Sequence, residues 1–148
     1  MDRTTMTIRT PNDEIAVSIP QGGTHIAYDA AAAIAALVAV RQPIPNAEQS
    51  LATATPAFGR LERISGGERD IILAFVKNPT SCNTTLRTLA IGGEPRHLLI
   101  AMSNSLVDGE DFAWLWDVNF EAMASRVVHA TIAGTRADEL ANRLKYAG

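Results

Sequence analysis

The stretch "DGEDFAWLWDVNFE" (108–121) sets the carboxylates Asp108, Glu110, Asp111, Asp117 and Glu121 around Trp114 and Trp116, and the chain holds no further Trp. Acids grouped this way can coordinate Mg²⁺, orient a catalytic imidazole, or accept hydrogen bonds from an amine. The same residues also suit a plain structural role: Asp108-Gly109 is an ordinary turn pair, and tryptophans two apart can form the buried face of an irregular strand. A second candidate is Lys77-Asn78-Pro79, which directly follows an apolar run. There the backbone turns into a helix N-terminus, a natural place for a phosphate or carboxylate. Equally, Asn78 can cap that helix with Pro79 in its first position and no ligand at all. Arg60 and Glu62, in "GRLER", form either a surface ion pair of little energetic weight or an arginine aimed at an anion.

Other chemistries are weaker. Cys82 is the single cysteine, which rules out an internal disulfide framework. With no histidine near it in sequence, a packed thiol is favoured over a nucleophile. His25, His97 and His129 are far apart, and the last two fall at or within strand-like runs, where structural histidines outnumber catalytic ones. Neither Lys77 nor Lys145 follows the glycine pattern of a Gly-Lys-Ser/Thr phosphate cradle. No Cys/His/carboxylate spacing makes a metal site.

The elements that must position these groups follow from patterning. Residues 5–20 alternate apolar and polar around Pro11-Asn12-Asp13, which predicts a hairpin. The alanine-rich stretch 26–41 predicts a helix whose apolar circumference calls for burial on more than one side. Pro43 and Pro45 stop it, and a shorter helix runs over 46–55 with Asn46 as its cap. From there the texture changes to short unbroken apolar runs at 71–76, 97–102 and 126–132, the mark of strands buried on both faces. Between and after them, helices are predicted over 80–91, from near Asn119, and over 135–147. The last has Thr135 and Asp138 at capping-box-like spacing and a Glu139–Arg143 pair. Alternating strands and helices imply an α/β domain with a parallel, doubly wound sheet, whose ligands sit beyond the carboxyl ends of the strands. Both "KNPTSCN" and the acidic segment fall there.

Composition is consistent with a globular chain. With 148 residues, 47% of them hydrophobic, there is enough apolar material for a core. A net charge of −3 and the absence of a basic stripe argue against nucleic acid as a partner. No apolar run approaches the length of a membrane span, and the N-terminus lacks the apolar region of a secretory signal, so a cytoplasmic location is expected.

"AYDAAAAIAAL", "AFGRLERI", "LAFVKNPTSCNTTLRTL", "DGEDFAWLWDVNFE" and "TRADELANRLKYAG" resemble, in order, consecutive landmarks of the MurT subunits of lipid II isoglutaminyl synthase, within the Mur ligase family. The resemblance covers nearly all of the chain from residue 16. It implies a Rossmann-like, mostly parallel sheet flanked by helices, preceded by a β-hairpin and helices. Residues 1–56 would be the tail of a Mur ligase central domain, and 57–148 a MurT-type C-terminal domain that stops short of the family's full length. It further implies an ATP-dependent amidoligase, using ATP and Mg²⁺ in the complete enzyme with none bound by this chain alone. Such an enzyme amidates the D-glutamate α-carboxyl of lipid II with ammonia from a GatD-type glutaminase, at the inner face of the plasma membrane.

Carried over by position, Lys77, Asn78 and Pro79 match the family's Lys-Asn-Pro, which resembles the substrate-side His-Asn-Pro of other Mur ligases; Arg60 joins them as a substrate-binding candidate. Asp108, Gly109 and Asp111 match its Asp-Gly-Arg-Asp, with Glu110 in place of the arginine, and Asp117 matches the aspartate after the tryptophans. The resemblance makes Asp111, Asp117 and Asp108 candidates to complete a Cys-His pair of the glutaminase. Two other functions remain open on the sequence: a non-catalytic module that docks a glutaminase or another protein, and an ammonia ligase fragment acting on a different carboxylate.

Overall fold

The structure is a computed structural model that describes residues 3–44, 46–67, 69–91, 93–104 and 111–148. The chain forms two compact units, Met1–Phe75 and Val76–Gly148.

In the first unit, β1 (Thr4–Arg9) and β2 (Glu14–Ile19) make the hairpin expected from alternation, in antiparallel register from Thr4↔Ile19 to Arg9↔Glu14. Its turn is tied by Thr10, whose hydroxyl accepts from the Asp13 amide at 2.9 Å. Alternation turns Ile8, Val17 and Ile19 inward, where Ala30 and Ile34 of α1 (Thr24–Ala39) and Ala47 of α2 (Ala47–Ala52) close the core. The breadth of α1's apolar surface predicted burial on several sides, but within this unit only the Ala30–Ile34 stripe is buried. Tyr28, Leu37 and Val40 are exposed. Asn46 precedes α2 without making a side-chain cap.

A second hairpin joins β3 (Arg60–Gly66) to β4 (Arg69–Ala74), antiparallel, with a bulge at Leu61. This corrects one detail of the sequence reading, which set 71–76 at the head of the parallel sheet. Gly67, at φ 71°, supplies the left-handed turn that folds β4 back onto β3. On one face of the hairpin Arg63 pairs with Asp70, and its guanidinium holds the Asp70 carboxyl below the usual carboxylate range, helped by the Ser65 hydroxyl.

The second unit carries the α/β pattern. In chain order it runs α3 (Pro79–Ala90), β5 (Arg96–Ala101), a 3₁₀ turn (Ala113–Asp117), α4 (Glu121–Ala124), β6 (Val127–Ala133) and α5 (Ala137–Lys145). β5 and β6 pair in parallel, with His97 opposite His129 and Ala101 opposite Ala133. One face of this pair turns Leu98, Ile100 and Ile132 toward a core of Cys82, Leu86, Met102, Leu115, Val118, Phe120, Met123 and Leu140. Each large side chain buried there contributes about 1.5–3 kcal/mol. His97 and His129 lie exposed on the strands with ring centroids 6.4 Å apart.

The chain leaves β6 through Gly134, at φ 98°. A Cβ on this residue would stand 1.9 Å from the Met102 carbonyl oxygen, at the end of β5. That contact is with backbone, so no side chain can swing aside to relieve it. Met102 and this turn are tied by hydrogen bonds: its amide donates to Ala133 O at 2.9 Å, and its carbonyl accepts from the Arg136 amide at 3.2 Å. Gly134→Ala is therefore expected to destabilise the second unit by roughly 3–5 kcal/mol through positive-φ strain and backbone overlap. Chemical denaturation reads this directly, and a variant as stable as the parent contradicts the crossing.

Candidate functional site

The junction Lys77-Asn78-Pro79 adopts the capped-turn geometry. Asn78 Oδ1 accepts from the Ser81 amide at 2.8 Å, while Ser81 Oγ accepts from the Asn78 amide at 3.3 Å and from the Lys77 amide at 3.2 Å. Pro79 takes the first helical position. The Lys77, Asn78 and Ser81 amides are thus engaged by side chains of the turn itself. The Lys77 side chain is exposed.

In the acidic segment, Asp108 and Glu110 lie outside the described residues. Asp111 Oδ1 accepts from the Ala113 amide at 2.9 Å, starting the 3₁₀ turn. Three residues per turn set Trp114, Leu115 and Trp116 on three different sides. Leu115 is buried; Trp114 is half-buried against the core beside Phe112, 6.2 Å between ring centroids. Trp116 is 55% exposed and leans on Tyr146 at 6.1 Å. The tryptophans are therefore not the one buried face of a strand. One anchors the segment from below, and the other lies on its surface. Asp117 follows, exposed, and its carboxylate has no hydrogen-bond or ion-pair partner among the described residues. The next residue, Val118, is 1% exposed, so the chain dives into the core immediately after the acid.

Two side chains hold that dive in place. Arg143, from α5, is 5% exposed and donates from Nη2 to the Val118 carbonyl at 2.6 Å and to both Glu121 carboxylate oxygens at 2.9 and 3.0 Å. Its guanidinium also lies over the rings of Trp116 and Phe120, at 5.8 and 5.4 Å. Asn83, from α3, accepts from the Asn119 amide at 2.7 Å and donates to the Asp117 carbonyl at 3.3 Å. Asn119 in turn accepts from the Ala122 amide at 3.1 Å, which starts α4. The backbone on either side of Val118 is gripped from two helices.

Sequence reading singled out neither residue for this work. For Arg143 a signal existed: it lies three residues after the fully buried Leu140, on the apolar face of α5. The predicted Glu139–Arg143 pair is corrected: Glu139 pairs with Arg136, because Arg143 points inward to Glu121. The predicted Thr135–Asp138 box is also absent from α5, where Thr135 bonds instead to Asn104.

The remaining candidates are placed as follows. Arg60 is exposed in the first unit with its guanidinium 5.9 Å from the Phe75 ring centroid, and Glu62 accepts from the Gly59 amide at 3.0 Å. Cys82 is buried, and burial pushes its thiol up to about 11, so it is protonated and unreactive at neutral pH. Among the described residues no three His, Cys, Asp or Glu side chains gather as a metal site. The structure thus brings Asn78, Asn83 and Asp117 onto one unit, joined through the first turns of α3.

Comparison with known proteins places this geometry. The family model described as MurT ligase C-terminal matches residues 75–148. The chain is 27% identical over 128 residues to the lipid II isoglutaminyl synthase (glutamine-hydrolyzing) subunit MurT of Streptococcus pneumoniae, covering 86% of this chain and 29% of that protein. It is 30% identical over 127 residues to the same subunit of Staphylococcus aureus, covering 84% and 29%. The chain thus spans less than a third of the length of these relatives. Among solved structures, MurF of Acinetobacter baumannii superposes with a TM-score of 0.76 at 19% identity, over 99% of this chain and 32% of that one. Folylpolyglutamate synthase of Thermotoga maritima gives 0.71 at 17%, over 99% and 38%. These two likenesses show the fold.

Two outcomes follow from the Arg143 cluster. Arg143→Lys keeps the charge but loses the flat group that bonds Val118 and Glu121 while facing two rings. It is expected to lower stability by about 1–3 kcal/mol and to change Trp fluorescence; unaltered unfolding and emission contradict the role. The Arg143 hydrogen bond, foremost, holds the Glu121 carboxyl below the usual carboxylate range. Because the folded value is depressed, this stabilisation is complete above the ordinary glutamate range and is lost as pH falls through the folded value. The stability of Glu121→Gln is expected to fall less steeply on acidification than that of the parent, read by denaturation at a series of pH values. Equal slopes contradict the assignment.

Proposed function

The chain belongs to the MurT ligase C-terminal family, and from that premise we propose that it is part of an ATP-dependent amidoligase subunit acting in peptidoglycan synthesis. The subunit converts the D-glutamate α-carboxyl of lipid II to D-isoglutamine, using ammonia that a GatD-type glutaminase releases from glutamine. Residues 1–56 are the tail of the central domain and 57–148 belong to the C-terminal domain. The single observation that supports the role of this chain is Asp117: an exposed carboxylate, without a partner among the described residues, on a turn that Asn83 and Arg143 fix from two sides.

A carboxylate presented this way is suited to a partner's histidine. Hydrogen-bonded to one ring nitrogen, it selects the tautomer whose other nitrogen takes the proton of the cysteine thiol, and it stabilises the imidazolium that results. The thiolate then attacks the glutamine amide carbon, the imidazolium returns its proton to the leaving nitrogen so that ammonia departs, and water hydrolyses the glutamyl thioester left on the cysteine to glutamate. An acid on a floppy loop would do this poorly, since orientation supplies much of the effect. Asp111 is the second candidate, though its Oδ1 is engaged by the Ala113 amide; Asp108 is the third. Lys77, Asn78 and Arg60 are the substrate-side candidates. ATP and Mg²⁺ act in the complete enzyme, where phosphorylation makes the carboxylate of lipid II an electrophile. This chain carries no Gly-Lys-Ser/Thr cradle and the described residues hold no Mg²⁺ donor set, so no part of that step is assigned to its side chains. The enzyme works at the inner face of the plasma membrane, where lipid II brings the substrate; no helix among the described residues is long and apolar enough to cross a membrane.

In the complex of the complete subunit with its glutaminase, Asp117→Asn is expected to lower kcat for glutamine hydrolysis by at least about tenfold, with assembly intact. A loss in Asp111→Asn alone moves the role to that residue. Normal hydrolysis by both variants contradicts the shared triad and leaves a docking module as the better reading.

A further inference from the structure

We propose that Asn83 is a positioning residue that aims the Asp117 carboxylate at the partner's imidazole, an inference that rests on the role given to Asp117 above. Its amide uses both ends on the segment that presents the acid. Oδ1 accepts from the Asn119 amide at 2.7 Å, and Nδ2 donates to the carbonyl of Asp117 itself at 3.3 Å. The orientation of the amide is fixed by its partners, since turning it over would set N–H against N–H and oxygen against oxygen.

The placement of Asn83 links two regions of the domain. It lies one residue after the buried Cys82 and three before the buried Leu86, on the flank of α3. That helix begins at Asn78 with the reciprocal Asn78–Ser81 cap, five residues earlier than Asn83. Any displacement of the Lys77-Asn78-Pro79 junction therefore moves the base on which the Asp117 carbonyl rests. Arg143 holds the neighbouring Val118 carbonyl independently, from α5. Removing Asn83 leaves Val118, Phe120 and Met123 buried and the turn folded, with the Val118 amide still on the Leu115 carbonyl and the Val118 carbonyl still on Arg143, but takes one tie from each of the two peptide planes beside Val118 and so loosens both. The Asp117 carboxylate, two bonds further out, is displaced in consequence. A side chain that acts through another in this way affects turnover more than binding.

The test is made in the complex of the complete subunit with its glutaminase, using Asn83→Ala, Asn83→Asp, Asp117→Asn and the double variant Asn83→Ala/Asp117→Asn. Asn83→Ala is expected to lower kcat for glutamine hydrolysis roughly ten- to a hundredfold with KM for glutamine and assembly unchanged. Asn83→Asp, which keeps the acceptor for Asn119 but not the donor to Asp117, is expected to fall between parent and Asn83→Ala. The double variant should be no slower than Asp117→Asn, because a positioning residue has nothing left to position. Additive losses, or Asn83→Ala turning over normally beside a slow Asp117→Asn, overturn the inference while the role of Asp117 stands. If Asp117→Asn is itself normal, the earlier reading fails. Hydrogen exchange at the Asn119 amide then judges the latch alone: faster exchange in Asn83→Ala supports it, and unchanged exchange overturns it.

Discussion

One buried guanidinium organises the second unit. Arg143 reaches from α5 into the core, bonds the Val118 carbonyl and the Glu121 carboxylate, and faces the rings of Trp116 and Phe120. Removing an arginine from water is costly, and the cost is offset only when charge and hydrogen bonds are met together. Here Nη2 meets a half-exposed carboxylate and a buried carbonyl, and the guanidinium lies over two aromatic faces, while the buried Nε has no hydrogen-bond partner among the described residues. The consequence is that Asp117 to Glu121, a stretch with a single short helix to follow it, has a defined path. A stretch with so little regular structure of its own would otherwise wander.

The acids and tryptophans of this segment divide their labour. Trp114 packs inward and Trp116 covers the guanidinium; Glu121 answers the charge of Arg143, and the Asp111 carboxylate accepts from the Ala113 amide where the 3₁₀ turn begins. Among the described acids of the segment, only Asp117 has no structural task for its carboxylate.

Much of this was legible in the sequence because local patterning decided it. The hairpin at 4–19, the strands at 96–101 and 127–133, and the helices at 24–39, 79–90 and 137–145 lie within two or three residues of their predicted places. Alternation, alanine content and the Asn78-Pro79 cap act over a few residues. What was not legible depends on contacts between residues far apart in the chain. Strand 60–66 was missed because its pairing depends on the left-handed turn at Gly67 and its burial is slight. The Glu139–Arg143 pair had good helical spacing and lost to a partner 22 residues away. The Asn83 amide bonds residues 34 and 36 positions along the chain, which no local pattern encodes. The chemistry of the acidic segment was visible as a composition, and the identity of the unoccupied acid was visible only in three dimensions.

The direct measurement is the distance between the Asp117 carboxylate and the nearest imidazole nitrogen of the glutaminase in an experimental structure of the assembled complex. The account predicts hydrogen-bond contact, about 2.6–3.2 Å, with the Arg143 and Asn83 contacts retained. An Asp117 carboxylate turned to solvent, or a different carboxylate on that imidazole, contradicts it.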